Sequence, residues 1–289
     1  EKMTTHMLRH LCALFAMGIA GAVRVASLSA HDAASWSTSS GCLSSAANTT
    51  RCNLEVYASA AVAAASLGAE LILYPEAYGL ASIKDEFEPF ISPIGTKLSC
   101  GVNTTSTSVQ QGTLACLAQQ HNLTVAANVF TSLSNGTKRI MQIVYDRSGT
   151  VISTYSKHHL VPYFETRYAE PGPFAPTTFD HGGMRWGIII CFEGVYPELT
   201  KDWSQLDALK TMGAGAFLWS IGGMVPQRVA SDVLARKYAV TVAASELKKE
   251  SQFFDASGAR MPQTSQPVAV EGYTAPAAIV VADVAQMLL

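Results

Sequence analysis

The stretch GIIICFEGVYPEL (187 to 199) places Cys191 at the end of an apolar, β-branched run, with Glu193 two residues on and helix-forming residues behind it. Two other polar residues hold comparable places: Glu76 follows the apolar run that stops at Pro75, and Lys157 follows the run VISTYS. These residue types suit thiol chemistry on a carbonyl. A cysteine attacks as the thiolate, so a base must take its proton, and the charge that grows on the attacked oxygen needs a cation or an N–H donor. Glu76 suits the first task, Lys157 and the backbone amide of Phe192 the second, and a helix starting behind Cys191 would favour the thiolate. Each residue alone also has a structural reading, as a turn carboxylate, a surface lysine or a buried core thiol. Their joint placement at strand ends favours catalysis.

The positioning elements follow from periodicity. VRVASLSA (23 to 30) reads as a buried strand, residues 53 to 68 as an Ala-rich helix stopped by Gly68, and AELILYPEAYG (69 to 79) as a short strand ended by Pro75. A polar connection (about 92 to 108) leads to the helix VQQGTLACLAQQH and the strand LTVAANVF. Two strands then flank an Asp-Arg-Ser-Gly turn, a hairpin signal. The strand MRWGIIIC precedes a helix starting near Pro197. The strand AFLWS, the helix PQRVASDVLARKYA, the strand TVAASE, a turn at DASG and the strand AAIVVADV complete the chain. Alternating strands and helices predict an α/β layered domain, and the hairpin makes its sheet mixed. No repeat or linker divides residues 23–289, so one domain is expected.

With 289 residues, 48% of them hydrophobic and 15% charged, and a net charge of −2, the chain can bury a core, and nothing in it reads as disorder or as a basic nucleic-acid surface. No internal run is long enough for a membrane span. The terminal apolar stretch AAIVVADVAQMLL resembles an anchor signal, but Asp283 and its length favour a strand.

Residues 1–22 combine a basic start, an apolar run and the small-residue site Ala20-Gly21-Ala22, the pattern of a secretory signal peptide. Four N-glycosylation acceptors, Asn48, Asn103, Asn122 and Asn135, agree with an extracellular, secreted or lysosomal location. Outside the signal stand Cys42, Cys52, Cys100, Cys116 and Cys191, an odd number. Cys42 with Cys52, and Cys100 with Cys116, bracket two polar loops, and pairing within each bracket leaves Cys191 alone; sequence does not fix the connectivity.

The motifs LYPEAYG, YSKHHLVPYFE and IICFEGVYPE resemble, in order and separation, the glutamate, lysine and cysteine motifs of the nitrilase superfamily. The resemblance implies a four-layer αββα sandwich with a mixed sheet pair, and a reaction at non-peptide C–N bonds through a thioester. It also implies Glu76 as general base, Lys157 as transition-state cation, Cys191 as nucleophile and Glu165 as a second glutamate that positions the lysine. Within the superfamily, residues 50 to 250 resemble the biotinidase and vanin (pantetheinase) branch, which is secreted, glycosylated and disulfide-bonded. KHHLVPYFE and CFE also resemble the apolipoprotein N-acyltransferase branch, whose catalytic domain follows membrane spans absent here. Glu193 departs from the first branch, which usually has Asp at that position, and that branch carries a further C-terminal domain, whereas the given residues stop after AAIVVADV, which reads as the last core strand.

The expected activity is hydrolysis of a small-molecule linear amide, pantetheine-like or biotinyl-amide-like. The alternatives are acyl transfer to an amine or an inactive secreted binding module. Glu193 either contacts substrate or hydrogen-bonds the lysine or a helix start, and Trp219 either lines the acyl pocket or packs in the core. His158 and His159 flank Lys157, but no Cys/His spacing supports a metal, and no cofactor is implied. The sequence sets no oligomeric state.

Overall fold

The computed structural model describes residues 22–30, 46–81, 87–100, 108–223, 227–247, 251–270 and 273–285. The signal segment up to residue 21, Cys42 and Asn103 lie outside the described residues.

The buried run β1 (Val23–Ala30) sits mid-sheet, parallel to β2 (Leu71–Leu73) on one side and antiparallel to β13 (Tyr273–Val284) on the other. Helix α1 (Ala46–Ser66) joins β1 to β2 and begins seven residues earlier than its Ala-rich segment predicts. The same sheet adds β4 (Thr124–Ser132) beside β2, the predicted hairpin β5 (Lys138–Tyr145) and β6 (Val151–Ser156), and an edge strand β12 (Thr264–Val270) beside β13. The two-residue strand β3 (Glu88–Pro89) pairs with the end of β4. Among the described residues this sheet has eight strands. A second sheet of five runs β11 (Gln252–Phe254), β10 (Thr241–Glu246), β9 (Ala216–Ile221), β8 (Met184–Ile190), β7 (Thr178–His181). Both are mixed.

Alternation along β2 and β4 explains the layering. Ile72, Val125 and Ala127 face out, where α1 and the helix α2 (Val109–His121) cover them. Leu71, Leu73, Ala126 and Phe130 face in and share one core with Trp186, Ile188, Ile190 and Leu218 of the second sheet. The far face of that sheet is covered by α5 (Gln227–Tyr238), giving the order helix, sheet, sheet, helix. The αββα expectation is met.

Two helices follow β8, α3 (Tyr196–Thr200) and α4 (Ser204–Thr211), where one was predicted. The strands β3, β7, β11 and β12 were not anticipated. The consequence for function is that β2, β6, β8 and β9 all end at the same place, with the loops after them facing one another across the sheet interface.

Candidate active site

Cys191 begins a single 3₁₀ turn (Cys191–Gly194) directly after β8. Its φ of 43° is left-handed, a conformation that is rare away from glycine and concentrated at functional sites. Two bonds hold the turn. The Trp219 indole Nε1 donates to the Cys191 carbonyl at 2.9 Å, and the Glu193 carboxylate reaches back to accept from the Ile190 amide at 2.8 Å. Trp219 is fully buried.

Glu193 is filled by protein donors. Its Oε1 accepts from Tyr155 Oη at 2.5 Å and from the amides of His158 and His159 at 2.8 and 3.2 Å, while Oε2 takes the Ile190 amide. Of the two readings open in the sequence, the geometry is that of the second: one carboxylate ties the cysteine turn to the lysine loop. His158 and His159 use Nδ1 on the Gly172 carbonyl and Gln205 Oε1, and the His159 ring stacks on Tyr196 at 3.7 Å. The Phe192 ring packs edge-on against the same Tyr196.

Lys157 lies just past β6, with its amide on the Ile140 carbonyl and its own carbonyl on the Gly172 amide. Its ammonium donates to Glu76 Oε1 and Glu165 Oε1, each at 2.7 Å. An ammonium has three N–H donors, so one remains for a further acceptor. Glu165 is fixed by its own 3₁₀ turn, its Oε2 accepting from the Val161 amide at 2.7 Å. Glu76 stands at the exit of β2. The peptide behind it is held by Asn128, which accepts from the Ala77 amide and passes the connection to Gln142 and thence to Ser220 of the other sheet.

Cys191, Glu76, Glu165 and Lys157 are at most 3% exposed. Burial pushes the Glu76 carboxyl up to about 7, and Lys157 pulls against it. Burial alone would discharge Lys157, but the charges of Glu76, Cys191 and Glu165 more than reverse this and hold it firmly cationic. The Cys191 thiol, hydrogen-bonded to Glu76, is pushed well above its usual value by burial and then by the Glu76 charge. Lys157 and the Gly222 amide oppose this. The expectation of a helix-stabilised thiolate is therefore corrected: a short 3₁₀ turn stands where a helix start was expected, and desolvation outweighs it. Both changes favour the protonated thiol, so attack by sulfur would call for a base.

Gly222, at the exit of β9, carried no signal in the sequence. A Cβ there would fall inside the van der Waals envelope of Glu76 Oε2 and lie 2.9 Å from Tyr78 Cδ2. Only a residue without a side chain lets this backbone bring its N–H to the Cys191 sulfur. Tyr78 and Tyr168, which border the cluster, were also missed. The available signal was position, since each follows a glutamate of the site within three residues.

Residues 38–210, more than half of the chain, match the family model described as carbon-nitrogen hydrolase. The chain belongs to the carbon-nitrogen hydrolase family. This bears out the nitrilase-superfamily motifs. Among curated relatives of this carbon-nitrogen hydrolase are the biotinidases of Bos taurus, 27% identical over 162 residues, and of Rattus norvegicus, 26% identical over 162 residues. Each alignment covers 49% of this chain and 30% of the relative, so the chain matches about a third of their length. Among solved structures, a mutant amidase from Nesterenkonia sp. AN1, with the acetamide moiety of fluoroacetamide added covalently at its active-site cysteine, is similar with TM-score 0.67 and 16% identity, covering 92% of both chains. Another variant of that amidase, in complex with butyramide, gives TM-score 0.65 at 16% identity, covering 93% of both chains. At that identity the likeness establishes the shared fold.

Away from the site, Cys100 and Cys116 form a disulfide, and Cys52 is disulfide-bonded. Asn135 is exposed in the β4–β5 turn, Asn122 is exposed at the end of α2, and Asn48 falls within α1. No described helix is long and apolar enough to cross a membrane.

Proposed function

We propose that this chain is an exported thiol amidohydrolase that cleaves a small linear amide, of the pantetheine or biotinyl-amide kind, through a thioester on Cys191. The supporting observation is the single ammonium of Lys157 clamped between Glu76 and Glu165 at 2.7 Å each, with the Cys191 thiol bonded to the same Glu76. Glu76 takes the thiol proton as sulfur attacks the amide carbon. The oxyanion is met by the remaining Lys157 N–H and the Phe192 amide. Glu76 returns the proton to the leaving amine, and then deprotonates the water that splits the thioester to free acid. Glu165 positions Lys157 and has no proton to trade in this scheme. Glu193 and Trp219 brace the cysteine turn and do not touch substrate.

Export is supported by the signal-like segment, the four acceptor asparagines and the Cys100–Cys116 disulfide. Residues 23–289 are proposed as one catalytic domain. The test is mass spectrometry of products from a panel of pantetheine, biotinyl-amide and lipopeptide substrates. Free acid from at least one amide, lost in a folded Cys191→Ala variant, is expected. Acyl transfer to an added amine in place of acid would replace hydrolysis with transferase activity. No turnover of any amide, with an unreactive Cys191, would leave a binding module.

A further inference from the structure

Tyr78 and Tyr168 border the catalytic cluster, and the thioester chemistry on Cys191 uses neither. Tyr78 Oη donates to Glu165 Oε1 at 3.2 Å. A carboxylate only accepts, so this contact uses the one proton Tyr78 has. The Tyr78 and Tyr168 hydroxyls also share a hydrogen bond. Its proton must then belong to Tyr168. The chain of hydroxyls therefore has a fixed polarity, running Tyr168 to Tyr78 to Glu165, and it ends on a Tyr168 oxygen that can accept but has nothing left to donate.

The other oxygens of the cluster are engaged. Glu165 takes Lys157, Tyr78 and the Val161 amide; Glu76 takes Lys157 and must receive the Cys191 proton. The Tyr168 ring is held by perpendicular contacts with Phe130 at 6.2 Å and Phe164 at 6.1 Å, so its oxygen is fixed in place. Burial, then the charges of Glu76 and Cys191, push its hydroxyl upward from the ordinary tyrosine value, which keeps it neutral.

We propose that the Tyr168 phenolic oxygen accepts the N–H of the scissile amide, making the site selective for amides that carry an N–H over esters and N,N-disubstituted amides of the same acid. This rests on the amidohydrolase reading. An acceptor facing the amide nitrogen also orients it, with its developing lone pair turned toward the proton held by Glu76.

The test compares wild type with Tyr168→Phe, which keeps the ring in its aromatic contacts. The probes are the amide that wild type hydrolyses fastest, the ester of the same acid and the N-methylated amide. The measure is kcat/KM, which reports steps through acylation. Tyr168→Phe is expected to lower kcat/KM for the N–H amide about tenfold, the size of one lost hydrogen bond in a dry site, and to leave the ester and the N-methylated amide unchanged. The rate of Cys191 labelling by methyl methanethiosulfonate, which carries no N–H, should also stay constant. An equal fall for amide and ester would overturn the proposal and assign Tyr168 to holding Glu165 through Tyr78. No change for any probe would overturn it as well. Failure of the amidohydrolase reading is separately visible, as absence of amide turnover in the wild type.

Discussion

Glu76 and Glu88 are both buried carboxyls that burial pushes up to about 7, yet their surroundings differ in kind. Glu88 faces the start of α2, where it accepts from the amides of Gln110 and Gln111 at 3.0 and 2.9 Å and from the Gln111 side-chain amide at 2.9 Å. All three donors are neutral groups with protons they do not release, and two belong to the first turn of a helix, whose N–H groups lack acceptors within the helix and here meet Glu88. Glu76 faces an ammonium and a thiol. Burial sets how reluctant each carboxyl is to ionise, and the partners decide its role. Fixed neutral donors make Glu88 an anchor for a helix. A thiol able to surrender its proton suits Glu76 to the proposed role of base.

That contrast can be broken by paired substitutions. Glu76→Gln should lower kcat/KM by roughly 10²- to 10⁴-fold, the usual range for losing a general base, while Glu88→Gln leaves it unchanged in steady-state assays. Gly222→Ala tests the same carboxylate without removing it. The new methyl group displaces Glu76 Oε2, and a loss of up to about a hundredfold is expected for a misplaced catalytic group, with circular dichroism unchanged.

In stability the order reverses. Glu88→Gln should lower unfolding free energy in urea by about 1–3 kcal/mol, because the amide turns an N–H₂ group toward a backbone donor and leaves it unsatisfied. Glu76→Gln removes a buried charge and leaves Lys157 paired with Glu165, so no loss is expected at pH 8. A large loss there would show that Glu76 is chiefly structural.

The smallest effect is in pH dependence. Both carboxyls hold protons in the folded chain up to about 7, while the unfolded chain releases them near 4.5. Their contribution to stability is therefore full below about pH 4.5 and is lost as pH rises through 7. Activity runs the opposite way, since the base must be ionised, and kcat/KM should climb with an acid limb near pH 7. Glu88→Gln should flatten the stability slope and leave the activity limb in place. Glu76→Gln should remove the limb.

How much of this was legible in the sequence depended on whether the signal was local. The strands β1, β8 and β10 and the helix α2 were readable because their apolar runs are long and cleanly bounded. The hairpin β7–β8 was missed although His181-Gly182-Gly183-Met184 carries a two-residue Gly-Gly turn, both glycines at positive φ, which is a strong hairpin signal. β12 was hidden by Pro267 in an exposed edge strand, where proline is tolerated. The four candidate catalytic residues were visible because each ends a strand or sits in a motif. Gly222 was not, since its place depends on Glu76 of the other sheet, and Asn128 and the two tyrosines were not, since their partners lie far away in the sequence. A glycine needed for close approach looks in sequence like any other.

The clamp on Lys157 bears on how a turnover ends. With Glu76 and Glu165 ionised around one ammonium, the cluster carries a net negative charge in a setting that screens it poorly. In the proposed reaction an amide enters and a thioester forms there, both neutral. Hydrolysis would form the acid neutral, as Glu76 hands the proton it took from water to the departing Cys191 sulfur, and only when the acid then loses its own proton to solvent does it become a third carboxylate beside Glu76 and Glu165. Under the proposed reaction, repulsion among the three would favour departure of the product anion and weaken product inhibition.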